Sequence, residues 1–291
     1  MFEDADTADG DRPEVDRGQL RRMLLDSLPP GIVRWNHKLI AAQPQGDGTY
    51  EIVFESGERE SFDLVVGADG VWSRLRPLVY NSQPVYSGVS FFEMGIDDVG
   101  NRHPNTARLV GRGLTFALGD NKALICHRDV DAHIGIYAAL RVPEDWIETS
   151  GQDKMPVEAL KASLAAHFSD WSKELQQIIT LGSTKITPRR IYALSVGHCW
   201  EHRPGVPLIG DAAHLMSPFT GEGANLAMRD AADLALVLTT DRDWDAAVAN
   251  MEREMFDRAA ISAAGAKEGI DGAFSNTGLD YMLQQMQGHR N

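Results

Sequence analysis

The chain has 291 residues, 43% of them hydrophobic, enough to bury a substantial core and to form one or two domains. Its formal net charge of −14 argues against nucleic acid or an anionic membrane as the main partner, since either demands a basic face. No stretch approaches the roughly twenty apolar residues that span a bilayer. With two cysteines, Cys126 and Cys199, no disulfide framework and no early apolar signal segment, a reducing cytoplasm is the default setting.

In chain order, the acidic opening MFEDADTADGDRP reads as a mobile arm rather than a folded strand. Over 15–28, Leu20, Met23, Leu24 and Leu28 fall at helical spacing, with Asp16 as cap, Arg17 in the first turn and Pro29-Pro30 as stop. Residues 32–35, 50–54 and 61–68 alternate or run apolar like strands, separated by Gln45-Gly46-Asp47-Gly48 and Ser56-Gly57 turns. The last of them ends in DLVVGADGVWSRLR. There Gly67 and Gly70 allow a sharp exit, Asp69 can satisfy loop N–H groups, and Ser73 caps the next turn with Arg76 as buttress.

From about 80 to 185, short strands (91–92, 114–118, 123–126, 133–140) alternate with polar turns. Glu93, His133 and Tyr137 are polar side chains in or beside these strands; a solvent-facing Glu93 and a satisfied sheet histidine at 133 are the plain readings. Val157, Leu160, Leu164 and Phe168 predict an amphipathic helix continuing through Trp171 towards Leu175 and Ile179. His198, Cys199 and His202 have no further ligand at zinc spacing, so no metal site is expected.

The chain is organised around residues 206–232, VPLIGDAAHLMSPFTGEGANLAMRDAA. Val206, Leu208 and Ile209 read as a short buried strand ended by Gly210. Asp211 then stands at the carboxyl edge, where open α/β sheets place their ligands. Gly221 and Gly223 let a backbone approach a flat ligand. The Ala/Leu-rich run from 222 to about 238 reads as a helix whose amino end carries free N–H groups and about half a positive charge. The alternative is an ordinary strand, turn and helix whose glycines serve only the turn. Beyond Asp241, Trp244, Val248, Met251, Met255 and Ala259 predict a long helix packed across both parts of the fold.

Gly210-Asp211-Ala212-Ala213-His214, with Pro218, Gly221, Gly223 and Asn225, resembles the second FAD motif of the flavoprotein aromatic hydroxylases, the single-component FAD monooxygenases. Gly67-Ala68-Asp69-Gly70 with Ser73 and Arg76 resembles their DG fingerprint, and Arg17 matches an Arg that precedes a Leu-bearing helix. PEVDR, FSDW and IGDAAHLMSPF look most like the tetracycline-inactivating branch. Glu93 falls where that branch has Gln, and Gly111-Arg112-Gly113 shifts its substrate Arg.

The resemblance implies an α/β fold: a glutathione-reductase-like, three-layer FAD-binding domain (1–79 and 187–240), a mixed-sheet substrate domain (80–186) and a long C-terminal helix (241–291). It implies FAD contacts from Arg17, Asp69, Gly210, Asp211, Pro218, Gly221, Gly223, Ala224 and Asn225. Substrate contacts would come from Glu93, Arg112, His133 and Tyr137.

The implied activity is hydroxylation of an aromatic or polycyclic, enolic small molecule with NAD(P)H and O₂ through a flavin C4a-hydroperoxide, the cofactor carrying the hard chemistry. No acid/base pair is demanded, so no catalytic side chain is assigned. The family opens with a strand, GxGxxG and a helix; this chain holds no GxGxxG, so the expectation is a truncated chain lacking the first βαβ unit. A non-catalytic fragment is the alternative, as is a halogenase or reductase of related fold. The halogenase needs two tryptophans one residue apart, and Trp35, Trp72, Trp146, Trp171, Trp200 and Trp244 include no such pair.

Overall fold

The computed structural model describes residues 2–3, 15–128, 133–183 and 185–288. In chain order they form β1 (Phe2–Glu3), α1 (Arg17–Asp26), β2 (Leu39–Pro44), β3 (Tyr50–Phe54), β4 (Arg59–Phe62) and α2 (Arg76–Val79). Next come β5 (Val85–Ile96), α3 (Val99–Arg102), α4 (Pro104–Val110), β6 (Gly113–Gly119), β7 (Lys122–Arg128) and β8 (Ile134–Arg141). After α5 (Trp146–Thr149), α6 (Val157–His167), α7 (Lys173–Leu181) and β9 (Thr187–Ala193), the chain runs through α8 (Asp211–His214), α9 (Gly223–Thr240), α10 (Trp244–Ala273) and α11 (Gly278–Gly288).

Six strands form one sheet in the order β1-β6-β7-β8-β5-β9, antiparallel at every described pairing rather than mixed as expected. Part of the reason is local. Asp120 and Asn121 both take positive φ (48° and 61°), which builds the two-residue turn that joins twisted antiparallel strands.

Side chains alternate across the sheet. Phe92, Met94, Leu124, Ile136 and Ala138 are buried on one face against Leu160, Leu164, Phe168 and Ile179 of the α6–α7 region. Val89, Phe91, Ile125 and Ala139 line the other face with Ile270 and Phe274 from the end of α10. Each fully buried large apolar side chain contributes about 1.5–3 kcal/mol, so this sheet stabilises itself on both faces.

Several predicted elements shift. Phe2–Glu3 pairs with β6 at Phe116 and Thr115, so the start of the expected arm is a strand; residues 4–13 lie outside the described residues. The strand expected at 32–35 forms instead at Leu39–Pro44. Gly31 and Asn36 hold positive φ on either side of 32–35, which bends the chain out of the extended region. The single helix expected from 157 to 179 breaks into α6 and α7. Its turn at Phe168–Trp171 closes on its own backbone bond, and Ser172 caps the second helix by accepting from Leu175 N–H.

The strand expected at 61–68 divides as well. Arg59–Phe62 joins the three-stranded sheet β2-β3-β4, while 65–67 leaves it to run beside 205–209. α1 forms as predicted, with Asp16 Oδ1 accepting from Gln19 N–H at 2.8 Å. The long helix expected over 241–291 divides: α10 ends at Ala273, Phe274 leaves the helical region to pack on the sheet, and α11 follows from Gly278. α10 gives Met255 to the core around Leu75 and Leu208, and Ile270 and Ala273 to the sheet.

Candidate functional site

Two turns meet where residues 65–67 lie parallel to 205–209. Val65 N–H donates to Gly205 O, Gly67 N–H to Pro207 O, and Ile209 N–H to Gly67 O, at 2.8–2.9 Å. A Cβ on Gly67 would sit 2.3 Å from Cδ2 of the buried Leu208, so a side chain there would force Leu208 to repack. The pairing places the Asp69 turn beside the Asp211 turn.

Arg76 then locks them together. Its buried guanidinium donates from Nε to Ala212 O at 2.8 Å and from Nη2 to Asp211 O and Val71 O at 3.0 Å and Gly70 O at 3.4 Å. Burial pulls its pKa below the ordinary value, opposed by the Asp69 and Asp211 carboxylates. Asp69 Oδ2 accepts from Arg74 N–H at 2.7 Å, and Ser73 Oγ accepts from Leu75 and Arg76 N–H. Both loop roles predicted for these residues are present.

α8 is a single turn held from behind by Asp230 of α9, which the sequence reading missed. Asp230 is 1% exposed; its Oδ2 accepts from Gly210 N–H at 3.0 Å and lies 2.6 Å from His214 Nε2. Its burial opposes ionisation, yet His214, the Gly210 N–H and Arg258 hold its pKa below the carboxylate norm. Asp211 itself is exposed, and its carboxylate has no hydrogen-bond partner among the described residues.

Past α8, Pro218–Thr220 makes a 3₁₀ turn that ends on Gly221 at φ +69°. The first backbone bond of α9 is Leu226 N–H to Glu222 O, which leaves the N–H groups of Gly223, Ala224 and Asn225 open among the described residues. A Cβ on Gly221 or Gly223 would meet nothing within 4 Å, so both face open space. Phe219 anchors this loop beneath, 6.4 Å from Phe91 and 5.7 Å from Phe274 by ring centroids.

That contact joins the loop to the sheet face carrying the predicted substrate residues. Glu93 and Tyr137 are cross-strand partners on the same face as Phe91, and Gly95 pairs with Gly135 next to them. Glu93 forms an ion pair with Arg189 of β9. Burial raises the pKa of Tyr137, Glu93 adds to the rise, and Arg189 and Arg17 oppose it, so Arg17 lies within electrostatic reach of this face. His133 Nδ1 lies 2.7 Å from Asp97 Oδ1, with its ring over Gly95. Arg112 is exposed at the head of β6, two strands from Tyr137 and without an ion pair among the described residues. The fold thus gathers Glu93, His133 and Tyr137, and leaves Arg112 apart.

Comparison with known proteins places this arrangement. The FAD binding domain family matches residues 148–261. Monooxygenase asqM of Emericella nidulans is 30% identical over 274 residues, covering 79% of this chain and 62% of the relative. The chain is thus similar to FAD-dependent monooxygenases over most of its length and matches the FAD binding domain family over 148–261. Among solved structures, Klebsiella pneumoniae HpxO complexed with FAD and uric acid shares the fold at a TM-score of 0.77 and 23% identity. The overlay covers 94% of this chain and 67% of that one. Tetracycline destructase Tet(51) shares it at a TM-score of 0.63 and 18% identity, over 94% of this chain and 72% of that one. The chain spans about three fifths of the length of the curated relatives it matches first, 62% and 61%.

The residues present fit FAD, the cofactor of this family. An unpartnered carboxylate suits a ribityl hydroxyl, and the open N–H groups of α9 suit the electron-rich edge of a flavin. The open space over Gly221 and Gly223 admits a flat ring.

Proposed function

We propose that this chain forms part of an FAD-dependent monooxygenase that uses NAD(P)H and O₂ to hydroxylate an aromatic or polycyclic, enol-bearing small molecule. One observation carries the reading: the Pro218–Asn225 loop, with its open N–H groups, is packed through Phe219 against the sheet face that holds Glu93 and Tyr137. A flat cofactor against the loop and a substrate against the sheet would share one cleft. When bound, FAD supplies the redox chemistry that activates O₂ for transfer of one oxygen atom to an electron-rich carbon.

The roles of this chain's residues follow. Asp211 would hold the ribityl chain by accepting a hydrogen bond, and the Gly223, Ala224 and Asn225 N–H groups would favour negative charge at the ring edge. Gly210, Pro218 and Gly221 shape the loop, Asp69 orders the neighbouring turn, and Arg17 adds positive charge near Tyr137. Glu93, Tyr137 and His133 orient the substrate, with Arg112 at the margin. Residues 1–79 and 187–240 belong to the cofactor-binding part, 80–186 to the substrate part and 241–291 to the helical end. No helix among the described residues is long and apolar enough to cross a membrane, and the free cysteines suit a reducing cytoplasm.

The test is to express the chain, remove small molecules, add FAD and follow the visible flavin band. Retained flavin that NADPH bleaches and air restores supports the enzyme. Folded protein that retains no flavin overturns the reading for this chain and favours a non-catalytic fragment.

A further inference from the structure

We propose that Asp230 is a positioning residue for Asp211: one buried carboxylate, delivered from α9, grips both ends of α8 and sets where Asp211 meets the flavin side chain. The proposal rests on the reading of Asp211 as a flavin ligand. Its observations are independent of that reading.

α8 spans only Asp211–His214 and has no side-chain cap of its own. A single turn does not hold its shape unaided, because fixing the first turn costs more backbone freedom than its bonds return. Asp230 supplies the missing restraint. Oδ2 accepts the Gly210 N–H immediately before Asp211, at 3.0 Å, and also meets Nε2 of His214, the last residue of the turn, at 2.6 Å. Asp211 lies between these two grips. Arg76 fixes the same turn from the opposite side through the Asp211 and Ala212 carbonyls. The peptide carrying Asp211 is therefore held by an anion behind and a cation across, while its own carboxylate stays exposed.

The charge state supports this role, since Asp230 is held in its ionised form by the partners that face it: His214, Gly210 N–H and Arg258. Arg258, on α10, reaches Oδ1 at 3.4 Å and Asp233 at 3.1 Å, so it serves the contact between α9 and α10 rather than the turn. This separation makes positioning distinguishable from simple support. Both Asp230→Asn and Arg258→Gln remove the Arg258–Asp230 ion pair, and the second also removes Arg258–Asp233, but only the first weakens the grip on Gly210 and His214.

Two readouts test it on the full chain: amide hydrogen exchange over residues 208–214 without flavin, and FAD affinity by titration. Asp230→Asn is expected to speed exchange in that segment and weaken FAD binding, each by about tenfold, the scale of one charged hydrogen bond lost. Arg258→Gln is expected to leave both within about threefold of the parent, a difference smaller than one net hydrogen bond. Equal effects of the two variants, unchanged exchange in Asp230→Asn, or global unfolding of Asp230→Asn would each overturn the proposal, since positioning predicts local loosening alone. If the parent chain binds no FAD while exchange at 208–214 still depends on Asp230, the flavin reading fails and the grip on the turn stands.

Discussion

The six-stranded sheet and the turns around Asp211 keep their shape by different means. The sheet has continuous backbone ladders and apolar packing on both faces. Around Asp211 a lone parallel bridge, Gly67 to Leu208, joins the two key segments, and buried polar side chains do the rest. Arg76, Asp230 and Glu252 are each 2% exposed or less. In the sheet, stability is spread over many interchangeable contacts. Near Asp211 it is concentrated in a few groups that also set the geometry of the site, so a change there alters local order and ligand binding together.

The largest effect is expected at the Arg76 clamp. Arg76→Met strands four backbone carbonyls and should cost about 3 kcal/mol or more in urea unfolding, with a loss of flavin affinity in the molecules that remain folded. Ile136→Ala in the sheet should cost a similar 2–5 kcal/mol, about the usual range for a core truncation, and leave flavin affinity unchanged. If both variants lose affinity equally, the distinction between the two regions is wrong.

Next in size is Asp211→Ala, expected to weaken FAD binding by about 1–3 kcal/mol without lowering the melting temperature, because this carboxylate is exposed and unpartnered. Unchanged flavin retention would remove Asp211 from the site.

A smaller, pH-dependent effect is expected at the back of the same region. His202 Nδ1 lies 2.7 Å from buried Glu252, which also accepts from Trp200 Nε1, and Asp245 Oδ1 stands 3.3 Å from Nε2 without hydrogen-bond alignment. Burial lowers the His202 pKa, but Glu252 and Asp245 outweigh it and leave the value above the ordinary 6.5. A pKa raised by folding stabilises fully below the unfolded value, here 6.5, and the contribution fades as pH rises through the higher folded value. Melting temperatures across that window should fall for the parent and flatten for Glu252→Gln; parallel curves would refute the coupling.

The smallest effect concerns the thiols. Cys126, inside the sheet, is pushed up to about 12 by burial, whereas Cys199 is exposed. Mass spectrometry of the folded chain after iodoacetamide should find one alkylated site, at Cys199.

Much of this was legible along the chain because it is local. Asp16 capping α1, Ser73 capping the turn after Asp69, and the amphipathic stripe of α10 are set by neighbours within a few residues, where side-chain chemistry and helical period act directly. The Asp211 and Gly221 motifs were readable for the same reason. The bracketing of residues 32–35 by positive φ, the break between α6 and α7, and the strand at Phe2–Glu3 were not. Each depends on which of several acceptable local conformations the surrounding packing rewards.

Long-range polar pairing was the least accessible. Asp230 meets Gly210 from 20 residues away, Arg76 reaches Ala212 across 136, and Arg189 finds Glu93 across 96. No periodicity marks such partners, because a buried charge is satisfied by whatever the fold brings within about 3 Å, not by anything near it in the chain. Residue types and spacing told which turns could hold a flavin; only the packed molecule chose the side chains that hold those turns in place.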